Sequence, residues 1–117
     1  MMEPRAAFDE KTVGSRFLDP ASLEWETSEV AGFEVVTLFE NRLTGESTML
    51  MKVAPGAYAG SHSHGALEEI LVLDGEFADE GNRYGKGQYC IRAAGTLHTA
   101  WSETGCTVLL VYRPSSS

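Results

Sequence analysis

Three histidines and a pair of glutamates have the residue types and spacing that metal chemistry requires. His62 and His64 stand two positions apart, Glu68 follows four positions later, and His98 is the remaining histidine. Side chains at i and i+2 of a strand share one face, so His62 and His64 are expected to point at one place. Neutral imidazole is the commonest nitrogen ligand of divalent transition metals. The pattern predicts a metal site that either Glu68 or Glu69 can reach after a turn, and the spacing favours Glu68.

Short strands between glycine turns must position these side chains. Twelve glycines and four prolines break the chain, at the spacing of about 8–12 residues that is typical of an all-β sandwich or barrel. We expect strands at residues 23–27, 33–40, 47–54, 69–73, 88–92, 97–102 and 106–112, with turns at 41–46, 55–56, 74–75 and 94–95. Residues 1–20 are expected to form an arm with little regular structure, residues 21–114 one barrel, and residues 115–117 a frayed tail.

The composition describes a single acidic globular domain. The chain has 117 residues, 43% of them hydrophobic and 22% charged, which is ordinary for a folded protein. Nine basic against 17 acidic residues give a net charge of -8, so nucleic acid and anionic membranes are not expected as partners. The longest apolar run, near residues 108–112, is far shorter than the ~20 residues that span a bilayer. No export signal is visible and Cys90 and Cys106 are too few for a disulfide framework, which predicts a cytoplasmic location.

The histidine segments resemble the two sequence motifs of the cupin superfamily. The residues that match the first motif are its glycines, its His-x-His pair and its glutamate: Gly56, His62, His64, Glu68 and Gly75. The residues that match the second motif are Gly87, Gly95 and His98. Ala93 and Ser102 stand where that motif has proline and asparagine, and neither position binds metal in the family.

A finer resemblance covers about residues 48–113. HSHGALEEILVLDGEFADE, YGKGQY, GTLH and WSETGCTVLLVYR are similar to the cupin domain of ChrR-type anti-sigma factors and to stand-alone relatives that resemble acetylacetone dioxygenases. The resemblance implies a small, antiparallel, jelly-roll-like cupin β-barrel in which His62, His64, Glu68 and His98 hold one divalent metal. Anti-sigma factors of this type grip the sigma factor with an N-terminal zinc module of clustered His and Cys. Residues 1–50 contain neither, so no sigma factor is expected as a partner.

Two functions of different classes are compatible with these ligands. Three imidazoles and a carboxylate suit Fe(II), Mn(II), Ni(II), Co(II), Cu(II) or Zn(II), and zinc is an expected occupant of purified protein because availability often outweighs selectivity. By analogy with the relatives above, a dioxygenase-like enzyme would act on a small carbonyl or enolate compound, while Lewis-acid isomerisation or hydrolysis is equally allowed. The alternative is a non-catalytic sensor whose metal is structural or holds a small effector.

Five residues are predicted to lie around the metal in an apolar pocket for a small organic molecule. They are Met49, Met51, Tyr58, Tyr89 and Trp101. Lys52 marks the outer face of its strand, which directs both methionines inward. Alternation does not decide whether Tyr89 or Cys90 faces inward, and packing in the core is the alternative for all five.

The strand at residues 33–40 has an unusual outer face. Val36 and Leu38 lie between charged residues on the face that a solvated strand would keep polar. We expect them to meet a second sheet or a second subunit, which predicts a homodimer.

Overall fold

Nine antiparallel strands and one short helix make up residues 14–114, the part of the chain that this computed structural model describes. The elements are a 3-10 helix at Pro20–Ser22, β1 (Glu26–Thr27), β2 (Phe33–Glu40), β3 (Ser47–Val53), β4 (Tyr58–His62), β5 (Ala66–Ala78), β6 (Arg83–Gly85), β7 (Tyr89–Arg92), β8 (His98–Trp101) and β9 (Cys106–Pro114). Residues 1–13 of the predicted arm and the predicted frayed tail lie outside the described residues. Residues 14–19 contain neither helix nor strand. Within residues 14–114, no helix has the length and hydropathy needed to cross a membrane.

The strands pair into one curled sheet that forms a half-barrel, in the order β1-β2-β3-β9-β5-β8-β4. β5 is its central element, because its first half pairs with both β7 and β9 and its end pairs with β6 and β8. The all-β class and the antiparallel barrel-like architecture predicted from the sequence are confirmed. β2 has the predicted bounds, and β3, β7, β8 and β9 agree with the predicted strands to within two residues.

The predicted turn at residues 74–75 is wrong, because β5 continues through it. The register with β9 shifts between Val72 and Asp74, and Gly75 then pairs with Cys106. Gly75 has a φ of +77°, and a side chain there would collide with the Gly105 carbonyl. The Asp-Gly pair therefore marks a β-bulge, where glycine supplies both the left-handed backbone and the close approach. β6 was not among the predicted strands, and β4 ends at His62, whereas the strand expected for the His-x-His pair includes His64.

The concave face of the sheet holds the hydrophobic core. Phe33, Ile70, Phe77 and Val108 are at most 5% exposed in the cluster that fills it. Met49 and Met51 pack against this cluster, as the alternation around Lys52 predicts. The core includes Ala59 and Ala100, which belong to the two strands that carry His62 and His98.

The outer face of β2 is covered within one chain. Val36 is only 2% exposed, and the segment before β1 lies beside it. Arg16 Nη2 donates a hydrogen bond of 2.6 Å to the Leu38 carbonyl, and the ammonium of Lys52 lies 4.1 Å over the Trp25 ring. Val36 is therefore buried without a second subunit, and the homodimer stays a prediction that this face does not test.

Candidate metal centre

The three histidines come from two paired strands and a loop. His62 ends β4 and lies directly opposite His98, the first residue of β8. The β4–β8 register shifts between Ala59 and His62, which turns the end of β4. His64 lies beyond β4, in the loop before β5. The two residues of the His-x-His pair therefore converge through a bulge and a loop, and not through the alternation of one strand as predicted.

The three imidazoles are close enough to hold one metal ion. Their ligating atoms lie within 4.8 Å of one another. The ring centroid of His62 is 4.3 Å from that of His98 and 5.0 Å from that of His64. Metal–nitrogen bonds of ~2.0–2.1 Å place two nitrogens of one ion up to ~4.2 Å apart, so the rings stand nearly at ligating separation.

Backbone carbonyls fix the proton on two of the rings. His62 Nδ1 is 2.7 Å from the Gly60 carbonyl oxygen and His98 Nδ1 is 3.3 Å from that of Thr96. A carbonyl oxygen can only accept, so in the neutral form of each ring Nδ1 carries the hydrogen and Nε2 has the lone pair. Burial, together with the charge of Arg92, lowers the pKa of His98 and favours the neutral ring that metals bind.

Glu68 adds a buried carboxylate to the cluster. It is 4% exposed, with Oε2 at 3.6 Å from His64 Nε2 and Oε1 at 3.7 Å from His98 Nε2. Oε1 accepts no hydrogen bond and has the Arg92 guanidinium as its charged neighbour, with Nε 3.5 Å away, so it keeps lone pairs for a metal. Glu69 points to the other side of the sheet, where it accepts a hydrogen bond from the Tyr89 hydroxyl. The geometry thus brings Glu68, and not Glu69, to the histidines, and the donor set fits a divalent metal.

Tyr112 holds this carboxylate and was missed by the sequence analysis. Its hydroxyl donates a 2.6 Å hydrogen bond to Glu68 Oε2, and its ring centroid is 5.3 Å from that of His64. Burial and the charge of Glu68 raise the pKa of Tyr112, so it remains a donor. Tyr112 is in phase with the buried residues Val108 and Leu110 of β9. The alternation of β9 could therefore have predicted from the sequence that Tyr112 faces inward.

A second buried charge lies behind Glu68. Arg92 pairs with Glu68 across β5 and β7, with Nε at 3.5 Å from Glu68 Oε1. Its Nη2 donates to Asp79 Oδ2 at 2.8 Å, and the Tyr84 hydroxyl donates to the same oxygen at 2.6 Å. Burial opposes the ionisation of Asp79, but hydrogen bonds from Tyr84, Arg92 and two backbone N–H groups outweigh it and lower its pKa to about 2.

A cavity of about 400 Å³ opens next to the cluster. All three histidines, Glu68 and Tyr112 line it. Most of its remaining surface is apolar, from Val30, Phe33, Met51, Ala59, Ile70, Phe77, Ala100 and Leu110. This size is within the range of small-molecule sites, about 300–1,000 Å³.

Of the five predicted pocket residues, only Met51 lines this cavity. Tyr58 and Tyr89 are 58% and 53% exposed, and Trp101 packs under the guanidinium of Arg83. Met49 packs against the core without reaching the cavity. The predictions for Tyr58, Tyr89, Trp101 and Met49 are therefore corrected.

Strand phase explains these corrections. In β7 the inner face belongs to Cys90 and Arg92, so the neighbouring residues Tyr89 and Ile91 face outward. On β4 and β8, Ala59 and Ala100 are the buried cross-strand pair beside the cavity. The cross-strand pair of Tyr58 and Trp101 is consequently directed away from it.

A match to a family model shows which protein family this chain belongs to. Residues 13–116 match the model of the ChrR cupin-like domain. The chain belongs to the ChrR cupin-like family. For this ChrR-like cupin, the family match confirms the resemblance that its histidine motifs indicated. A comparison with curated proteins found no match.

Solved structures place this ChrR-like cupin beside proteins of different activities. The anti-sigma factor ChrR of Rhodobacter sphaeroides, in complex with SigE, is 27% identical with a TM-score of 0.69, and the match covers 80% of this chain and 50% of ChrR. The polyketide cyclase RemF of Streptomyces resistomycificus is 16% identical (TM-score 0.75, 86% and 78% covered). A protein provisionally named acetylacetone dioxygenase, from Methylibium petroleiphilum, is 12% identical (TM-score 0.77, 86% and 78% covered). The chain spans about half the length of ChrR, and the other two matches show the fold.

Proposed function

We propose that this cupin is a mononuclear metalloenzyme of dioxygenase-like type that acts on a small carbonyl or enolate compound. The observation that carries the proposal is that three imidazoles and a buried carboxylate oxygen that accepts no hydrogen bond converge at an apolar cavity of about 400 Å³. Sites that only stabilise a fold are closed by protein ligands, whereas catalytic metal sites keep a position open to substrate. An adjoining cavity of this size favours the second kind.

Each residue of the cluster has a distinct task in this proposal. His62, His64 and His98 would hold the metal, with Glu68 Oε1 as the fourth donor. A divalent metal at this place would polarise a carbonyl oxygen and stabilise its enolate. Tyr112 keeps Glu68 in place through its hydrogen bond. The apolar walls exclude water, which strengthens the attraction between the site and an anionic ligand.

Metal analysis and oxygen uptake test the enzyme. Protein from the native host is analysed for Fe, Mn, Ni, Co, Cu and Zn, and the loaded protein is then assayed with 2,4-pentanedione and related dicarbonyls. We expect one metal per chain and oxygen consumption that disappears in His98→Ala. Stoichiometric metal without turnover of any dicarbonyl, under oxygen or anaerobically, would contradict an enzymatic role on this class of compound.

A second candidate is a non-catalytic module that binds metal or a small effector. The family match and the 27% identity to ChrR, solved in complex with SigE, favour it. The same similarity runs against the expectation that no sigma factor is bound, although it covers half of ChrR. Gel filtration of the chain with a SigE-type sigma factor from its own host distinguishes the candidates. Co-elution would support the module, and separate elution would support a stand-alone protein.

Location and remaining partners follow from charge and thiol state. Both Cys90 and Cys106 are free thiols, which agrees with a reducing compartment. We propose a cytoplasmic location and a small organic molecule as the ligand, and the net charge of -8 keeps nucleic acid and anionic membranes unexpected as partners. The homodimer remains a prediction from the sequence, which sedimentation at micromolar concentration tests.

A further inference from the structure

We propose that the ligand of this cavity carries one anionic, metal-binding head on an otherwise apolar body, and that Glu29 at the cavity rim weakens the binding of ligands with a second anionic group. This proposal rests on the proposed metal-dependent function and specifies its substrate class.

The cavity offers no positive side chain to a distant anionic group. Among the described residues, no lysine and no arginine lines it. The guanidinium of Arg92 does not line the cavity, because it pairs with Glu68 and binds Asp79. A second carboxylate or a phosphate on the ligand would lose its hydration without gaining an ion pair, and an unpaired buried charge is strongly disfavoured.

The cavity is also poor in free hydrogen-bonding groups. The Ser28 hydroxyl donates to the Val30 carbonyl, and the Tyr112 hydroxyl donates to Glu68. The walls away from the histidines are formed by side chains such as Phe33, Ile70 and Phe77. A polyol would leave its hydroxyls unpaired here, so sugars fit the cavity less well than alkyl or aryl groups.

The charge of the loaded site matches one monoanionic head. Three neutral imidazoles and the Glu68 carboxylate around a divalent ion leave a net charge of about +1. A single enolate-like or carboxylate-like group brings this charge to zero. A dianionic head would leave an uncompensated negative charge in an apolar surrounding.

Glu29 adds a negative charge beside the apolar wall. It lies in the hairpin between β1 and β2, which is held by hydrogen bonds from Ser28 N to the Phe33 carbonyl at 2.9 Å and from Phe33 N to the Val30 carbonyl at 3.1 Å. Glu29, Val30 and Gly60 are the exposed residues of the lining and therefore form its rim. Glu29 makes no ion pair within residues 14–114. Its uncompensated charge repels an anionic tail.

Two probes of equal length test the proposal without turnover. Octanohydroxamate and the monohydroxamate of octanedioic acid carry the same chelating head and differ in a methyl or a carboxylate at the far end. Their binding to the zinc-loaded protein is measured by titration calorimetry. We expect the methyl-ended probe to bind at least about tenfold more tightly, because the carboxylate end has no cation to meet.

Variants of Glu29 isolate its contribution. We expect Glu29→Gln to improve binding of the carboxylate-ended probe about threefold, as for a solvent-exposed charge, and Glu29→Lys to improve it further. The methyl-ended probe should be unaffected. Glu80→Gln and Glu80→Lys are matched controls, because Glu80 is an exposed acid that does not line the cavity.

The failures of the two proposals are distinguishable. If elemental analysis finds no zinc held by the histidines, the metal-dependent function fails and this inference fails with it. If zinc loads stoichiometrically but both probes bind equally, the metal site stands and the ligand class is overturned. If Glu29 variants change binding no more than the Glu80 controls, the role of Glu29 is overturned.

Discussion

The Tyr112 hydroxyl donates to one oxygen of Glu68 at 2.6 Å, whereas the other oxygen accepts no hydrogen bond. The two residues are 44 positions apart in sequence and are paired directly across β5 and β9. This second oxygen, Oε1, lies 3.5 Å from Arg92 Nε and 3.7 Å from His98 Nε2. The hydrogen bond therefore selects which carboxylate oxygen is available to a cation.

Removing this hydroxyl should weaken metal binding. Loss of a group that orients a ligand typically lowers metal affinity about 10–100-fold, and we expect Tyr112→Phe to fall in this range. The measurement is competition for zinc with a chelating dye. Tyr89→Phe is the matched control, because it removes the equally short hydrogen bond of 2.6 Å that the Tyr89 hydroxyl donates to Glu69 on the exposed face. Equal affinities of the two variants would show that Tyr112 does not orient the site.

Substitution of the proposed donors should separate ligands from neighbours. We expect His62→Ala, His64→Ala and His98→Ala each to lose stoichiometric metal, and Glu68→Gln to bind it more weakly. Glu69→Gln is the control, because Glu69 lies on the opposite face, where it pairs with Arg113 at 2.9 Å. Elemental analysis after gel filtration measures the loading. Full loading of any histidine variant would remove that residue from the ligand set.

Acid should release the metal through the imidazole range. Protonated histidine cannot bind a metal, and the ordinary pKa of imidazole is ~6.5. Burial and Arg92 lower the pKa of His98, so its neutral form persists to a lower pH than that of an ordinary histidine. We expect zinc to be retained at neutral pH and to dissociate as the pH falls below this range. Elemental analysis after dialysis at each pH measures the zinc that remains bound. Retention down to about pH 4 would indicate a different site.

Asp79 should contribute to stability at neutral pH and lose that contribution in acid. Hydrogen bonds outweigh burial and lower its pKa from 3.8 to about 2, which corresponds to about 2 kcal/mol of stabilisation. Because the folded-state pKa is the lower one, this stabilisation is complete above about pH 4 and disappears as the pH falls towards 2. Denaturant unfolding at several pH values measures it.

We expect Asp79→Asn to be destabilised by about 2 kcal/mol at pH 7 and to lose less stability than the parent protein between pH 4 and pH 2. Asp74→Asn is the control, because Asp74 is exposed. A parallel pH dependence of the parent and Asp79→Asn would rule out this role of the Asp79–Arg92 pair.

Regular alternation allowed much of the sheet to be predicted. β2 and β3 have continuous runs of strand-forming residues separated by a turn, in which Asn41 N donates to the Glu46 carbonyl at 2.8 Å. The same signals failed at the Asp-Gly pair of β5, because a glycine with positive φ suits a bulge as well as a turn. They also failed on β7, where Tyr89 and Cys90 are equally plausible inward residues by alternation alone.

The sequence by itself determined which residues are candidates for metal chemistry: the histidines, the neighbouring glutamates, the motif spacing and the absence of basic stripes are all readable without a fold. The tertiary structure decided which glutamate faces the imidazoles, which face of β7 is inner, and that Tyr112 and Arg92 flank Glu68. The reason is physical. Alternation with period two tells which residues share a face, but the side that becomes the interior and the register between distant strands are set by the packing of the whole sheet.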